Sequence, residues 1–369
     1  MSRPFRQACA ALTDFIAKHP EIEIRESVTS IPENVRPDFY ALFNAARHAF
    51  IADAFPDCLS RAGLLQQEYC RATEAAARWL SFEDGPVVSK CGRFLNDPKD
   101  SLARELFDPL FDLLKKKETP ASFEKKASRG IESLFPIVHR GGYEKWAVIS
   151  LANLLEVQKA FRVPVRDLQP GDRAKSSAYA PVEEVPEPVE SAHFLFSQSP
   201  KAIFAVPDFI LYSGKLNRFI GFRSEFKEGL YNALNASMER EWCPIDADLL
   251  ILLELGLTLI YASEKPESIA LVGDVARFCR PDLVLWCVNS HNMTKQKALE
   301  KMALADSHLK PARGIFIVAN GPWPESEETE EPQALNPPPE GEAPRIRILP
   351  AGFDCAQLTP VIKALSDAV

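Results

Sequence analysis

A chain of 369 residues with a formal net charge of −8 has room for two cores and lacks the charge for a broad nucleic-acid-coating surface, although a local basic groove fits inside an acidic total. Hydrophobic residues make up 46% and charged residues 25%, the balance of an ordinary globular chain, and no apolar run approaches the roughly 18 residues of a membrane span. The eight cysteines form no C-x-x-C pair and no basic, apolar leader opens the chain, so reduced thiols and a cytoplasmic location are expected.

The first 163 residues read as an all-helical bundle. Phe5, Cys9, Leu12 and Phe15 share one face of a first helix, and Phe39, Phe43, Ala46 and Phe50 share one face of a second that opens at Pro37. A third helix is expected over residues 57–80, where alanines favour it. A fourth covers 101–116, with Leu102, Leu106, Leu110 and Leu113 inward. Thr119 and Pro120 suit the cap and first turn of a fifth. Gly141-Gly142 is expected to break the chain before a sixth over 143–161. Residues 164–191 mix prolines with glutamates and read as an extended linker.

The remainder, 192–369, reads as an α/β domain. Residues 209–212 and 219–226 flank a turn-like Ser-Gly-Lys-Leu-Asn and form an expected antiparallel hairpin. Helices are expected over 229–238 and from 246. Apolar runs at 257–262, 282–288 and 314–319 then alternate with helical runs at 266–279 and 293–309, which predicts a parallel βαβαβ core in a three-layer sandwich. Residues 324–344 read as an acidic, proline-rich insertion that is expected to be mobile. A strand at 345–349 and a helix capped by Asp354 close the domain, with Leu358, Val361, Ile362 and Leu365 buried.

Two sets of residues carry candidate chemistry. The first is Pro207-Asp208 followed by Arg223-Ser224-Glu225-Phe226-Lys227. Residues i and i+2 of a strand share a face, so Glu225 and Lys227 would point together from one arm of the hairpin. The pattern resembles the signature of PD-(D/E)XK nucleases, over some twenty residues. The resemblance implies a Mg²⁺ ion held by Asp208 and Glu225, a water placed by Lys227, and a nucleic-acid substrate; without it, the same charges are a solvated edge-strand face. The second set follows from the expected parallel topology, whose strand carboxyl ends place Ser263, Asn289, Ser290, His291 and Asn320 around a ligand site; the competing role is plain helix capping by Ser263 and Asn292.

Other chemistries lack a foothold. The sequence contains no G-x-G-x-x-G, no P-loop, no H-E-x-x-H and no G-x-S-x-G, which argues against the corresponding dinucleotide, nucleotide, zinc and serine-hydrolase sites. Asp246 and Asp248 fit the first turn of a helix, where acids offset its dipole. The leading expectation is therefore a cytosolic accessory or scaffold-like protein acting through a protein partner, without a cofactor. The alternative is a Mg²⁺-dependent nuclease using Asp208, Glu225 and Lys227, in which the helical domain selects the target.

Overall fold

The computed structural model describes residues 3–83, 89–162, 187–195, 209–226, 256–270, 281–290, 293–323 and 344–366. The chain divides into two compact units, residues 1–67 with 90–142 and residues 68–89 with 143–369. An N-terminal helical region and a C-terminal mixed sheet with helices are both present, as the sequence predicts.

The helical unit contains α1 (Arg3–Lys18), a two-residue ladder of β1 (Glu23–Ile24) and β2 (Thr29–Ser30), α2 (Arg36–Ala54) and most of α3 (Pro56–Ala76). It continues through α4 (Lys90–Asn96), α5 (Pro98–Ala103), a 3₁₀ turn, α6 (Phe107–Leu114) and the first part of α7 (Pro120–Leu154). The expected single helix over 101–116 is thus divided. Pro98 opens α5 behind Asp97, whose carboxylate accepts the Asp100 N–H at 2.9 Å. Rings fill the core: Phe5 stacks on Phe123 at 5.4 Å, and Phe43 lies 4.6 Å from Phe111.

Gly141-Gly142 does not break the helix, because α7 runs through it and through Pro136 for 35 residues. The glycine serves packing instead. A Cβ at Gly142 would stand 2.9 Å from both Leu65 Cδ2 and Leu95 Cδ2. Nor does the final helix extend to 161: it ends at Leu154, and residues 157–162 form a strand. The third helix likewise stops at Ala76, short of the expected residue 80, and gives way to β3 (Leu80–Glu83).

The second unit is built on an eight-stranded sheet. In spatial order it runs β12 (Ile346–Leu349), β11 (Ile315–Ala319), β10 (Leu283–Val288), β9 (Leu257–Ser263), β8 (Arg218–Phe226), β7 (Phe209–Ser213), β4 (Val157–Arg162) and β5 (Glu187–Val189). β6 (Ala192–Leu195) pairs with β3 in a separate parallel ladder. Part of the expected linker is therefore ordered strand, since Glu187, Pro188 and Val189 pair antiparallel with β4. Residues 164–186 of it lie outside the described residues, as do the expected helices at 229–238 and from 246 and nearly all of the acidic insertion.

The expected parallel core is corrected at its first strand. β10 pairs parallel with β11, and β11 with β12, but β9 runs antiparallel to β10, with Leu283 opposite Ile260. Strands buried on both faces read as continuous apolar runs whichever way they point, so composition could not reveal this direction. One face packs Leu257, Leu259, Val284, Trp286, Ile315 and Ile317 against Ala298, Met302, Ala305 and Leu309 of α9 (Lys295–Leu309). Between β9 and β10 lies α8 (Pro266–Ala270). The opposite face meets the last turns of α7, through residues from Tyr143 onward. The chain closes with α10 (Thr359–Ser366), where Asp354 caps the preceding 3₁₀ turn and Leu358, Val361, Ile362 and Leu365 are buried as expected.

Candidate functional site

The expected hairpin is present. β7 and β8 pair antiparallel from Phe209–Phe222 to Ser213–Arg218. The intervening turn is set by Asn217 at φ 51° and by Ser213 Oγ, which accepts the Leu216 N–H at 3.1 Å. Antiparallel pairing puts the beginning of β7 beside the far part of β8. In the chain, Asp208 directly precedes β7 and Lys227 directly follows β8.

The far part of β8 is irregular. Arg223 pairs with Leu259 of β9 and Phe226 pairs with Leu257, with a register shift between them. Two residues of β8, Ser224 and Glu225, thus oppose a single residue of β9, Thr258. This is the count of a β-bulge, which bends a strand locally and re-aims its side chains.

Consecutive residues of α7 bond to both strands inside this bulge. Glu144 Oε1 accepts a hydrogen bond from Thr258 Oγ1 at 2.6 Å, and Lys145 Nζ donates to Ser224 Oγ at 3.0 Å. Lys145 Nζ also sits 4.9 Å from the centre of the Phe194 ring. Both charged residues are only 1% exposed. One residue earlier, the Tyr143 hydroxyl donates to the carbonyls of Ala319 at 3.0 Å and Gly352 at 2.7 Å, and burial holds its pKa well above the ordinary phenol range. Phe209, at the start of β7, lies 5.5 Å from Phe194 and 5.4 Å from Phe222 by ring centres. The bulge is therefore walled by rings and held by buried polar groups. Taking a carboxylate or ammonium out of water costs several kcal/mol even after relaxation, so the partners must return most of it.

Of the nuclease-like set, Glu225 is placed in β8 by its backbone, while Asp208 and Lys227 lie outside the described residues. Among the described residues no group of three or more His, Cys, Asp and Glu side chains is arranged to hold a metal ion.

The second expected site is only partly assembled. Asn289 and Ser290 follow β10, and Asn320 follows β11, so the parallel pair brings them together. Asn320 Oδ1 accepts from the Ser290 N–H at 3.3 Å and lies 3.5 Å from Ser290 Oγ. Ser290 is fully buried, so the two side chains close onto each other as a clasp between strands. Ser263 does not join them. It ends β9, which runs the opposite way, and its Oγ accepts the Lys265 N–H at 3.2 Å ahead of α8. The cap of α9 is Thr294, whose Oγ1 accepts the Lys297 N–H at 3.3 Å; His291 and Asn292 lie outside the described residues.

Glu144, Lys145, Ser224 and Thr258 escaped the reading of the sequence as site residues. A signal existed: residues 146–152 are apolar on almost every helical face, and a helix of that kind is buried all round, so charges at its head are buried too. A cleft of about 500 Å³ at the β4–β5 edge, between Arg78, Trp79 and Lys159, lies apart from this set and shares none of its residues. Comparison with known proteins finds no matching family, no matching curated protein and no matching solved structure.

Proposed function

We propose that the sheet unit is a Mg²⁺-dependent nuclease, with Asp208, Glu225 and Lys227 as its reacting groups. The observation that carries this reading is the bulge at Ser224–Glu225, on the strand whose far part pairs with the start of β7. Bulges are enriched beside active sites, as they are at sheet edges and barrel rims. The donor set is chemically suitable, since two carboxylates supply the hard oxygen ligands that Mg²⁺ requires. When bound, the ion would neutralise charge developing on the phosphate.

The chain's own groups define the remaining chemistry. Lys227 holds the attacking water by a hydrogen bond and compensates the negative charge of the phosphodiester. The water oxygen forms a bond to phosphorus while one ester P–O bond breaks. The water gives up its proton to bulk solvent, and the departing alkoxide takes one from solvent. The helical unit would select the target. A cytoplasmic setting fits the free thiols of Cys9, Cys58, Cys70 and Cys355, and no described helix is long and apolar enough to cross a membrane.

The accessory role first expected rests on missing motifs, and it gives no reason to bury Glu144 and Lys145 beside β8. One experiment separates the two readings: cleavage of single- and double-stranded DNA and RNA with Mg²⁺ or Mn²⁺, together with calorimetry of Mn²⁺ binding. The nuclease reading expects wild-type cleavage that Asp208→Ala and Glu225→Ala abolish, and slower cleavage with retained metal binding in Lys227→Ala. Neither binding nor cleavage in the wild type would leave the accessory reading standing.

A further inference from the structure

Two hydroxyls and an imidazole converge on the small parallel ladder of β3 and β6. Its register sets Ser81 opposite His193, while Leu80 and Phe82 fall on the other face with Ala192 and Phe194. Ser81 Oγ lies 3.0 Å from His193 Nδ1. Ser191, just ahead of β6, brings its Oγ to 3.4 Å from Ser81 Oγ. The Ala192 carbonyl also accepts from Ser81 Oγ, at the longer distance of 3.3 Å. This polar group is accessible: Ser81 and Ser191 are half-buried and His193 is exposed.

We propose that Ser81 is a nucleophile, with His193 as its general base and Ser191 as the donor to the oxyanion, and that the three hydrolyse small carboxylic esters. The proposal shares no residue with the nuclease reading and does not rest on it. A nucleophile and base within hydrogen-bond reach are the first requirement of such chemistry. In the Nε2–H tautomer, His193 Nδ1 is an acceptor and can take the Ser81 proton. Such a pair is recognised by geometry and roles, not by a turn motif, so it needs no G-x-S-x-G. The 3.4 Å separation is long for a bond between resting hydroxyls. It places the Ser191 hydroxyl beside the oxygen of a carbonyl attacked by Ser81, where a donor strengthens as charge develops.

The reaction balances with water as the only co-reactant. Ser81 Oγ bonds to the ester carbonyl carbon while its proton passes to His193 Nδ1. The ester C–O bond then breaks, and the leaving alcohol takes that proton. Water adds to the acyl carbon and gives a proton to His193. The bond to Ser81 breaks, the acid departs, and Ser81 Oγ recovers the proton. The cleft of about 500 Å³ is lined by Trp79 and Glu190, which stand two residues before Ser81 and one before Ser191. The acyl group takes that cleft.

The test uses the full chain as wild type, Ser81→Ala, His193→Gln and Ser191→Ala. Each is treated with a fluorophosphonate probe, whose site is mapped by peptide mass spectrometry, and assayed on para-nitrophenyl acetate for kcat and KM across pH, with Tm alongside. Ser81 should carry the label, and Ser81→Ala should abolish turnover. Glutamine can still hydrogen-bond Ser81 but cannot take its proton, so His193→Gln should lower labelling rate and kcat about 100-fold or more and remove the sigmoidal rise of kcat with pH. Ser191→Ala should lower kcat about 100-fold with KM near wild type. If Ser81→Ala does not fold, the label map and the pH profiles of the other forms decide. A wild type that leaves Ser81 unlabelled, or a His193→Gln variant labelled as fast as wild type while only Tm changes, would make the trio a structural tie between strands and refute the proposal. Unchanged kcat in Ser191→Ala overturns its assigned role.

Discussion

The two units bury their interiors in different ways. In the helical unit the core is a continuous set of rings, with Phe5, Phe50 and Phe123 in mutual contact and Phe39, Phe43, Phe107 and Phe111 in a second group. Its buried Arg47 ties two helices of that unit together: the guanidinium donates to the Ala103 carbonyl of α5 at 3.0 Å, bonds Asn44 on its own helix, and lies over the rings of Phe43 and Phe107. In the sheet unit the strands mix aliphatic residues with single rings, and the buried polar groups reach from a helix to two strands far away in sequence. The first pattern stabilises a fold. The second fixes the relative placement of separate elements, which is what a reactive site requires.

If burial alone governed both units, equal losses should follow from equal truncations. Trp286→Ala in the central part of the sheet and Phe43→Ala in the helical core should each cost about 3–5 kcal/mol, by chemical denaturation. Only the sheet variant should also weaken Mn²⁺ binding. Phe43→Ala weakening it as strongly would erase the distinction. Next in size is Gly314→Ala in the sheet unit. Gly314 has φ 101°, and a Cβ there would meet the Arg345 carbonyl oxygen at 2.2 Å. Backbone strain and the clash together should cost about 3 kcal/mol. The corresponding change in the helical unit, Gly142→Ala, meets only the ends of two leucine side chains and should cost about 1 kcal/mol. A reversed order in their denaturation midpoints would show that the sheet edge is the softer region.

The smallest effect concerns pH. Burial raises the Asp282 carboxyl above its ordinary value of 3.8, partly offset by the Ala262 N–H at 2.7 Å and by Arg313 at 3.5 Å. A raised folded pKa means that the folded chain holds this proton more tightly than the unfolded chain. The associated stability is complete below the ordinary carboxylate pKa and is lost as pH rises through the folded value. Relative to Asp282→Asn, the wild type should therefore gain stability as pH falls from 7 toward 3.5, in urea unfolding at a series of pH values. A constant difference between the two would place Asp282 in an environment like that of the unfolded chain.

Much of this architecture was legible because periodicity reports burial. The helical faces of Phe5–Leu12 and Phe39–Phe50, the β7–β8 hairpin and the closing helix after Asp354 all emerged from spacing alone. Strand direction did not, since β9 is apolar on both faces however it runs. Gly142 misled for a related reason: a glycine that ends a helix and a glycine that admits neighbouring leucines look alike in one dimension. The candidate carboxylates were visible as a motif. The bonds from α7 to β8 and β9 were not, because the partners of Glu144 and Lys145 lie 114 and 79 residues away in the chain.

The most direct measurement of the central claim is calorimetric titration of the full chain with Mn²⁺, comparing wild type and Glu225→Ala. The account predicts saturable binding in the wild type and none in Glu225→Ala, with an unchanged fold. Wild-type protein that shows no binding heat at millimolar Mn²⁺, or a Glu225→Ala variant that binds as the wild type does, would contradict it.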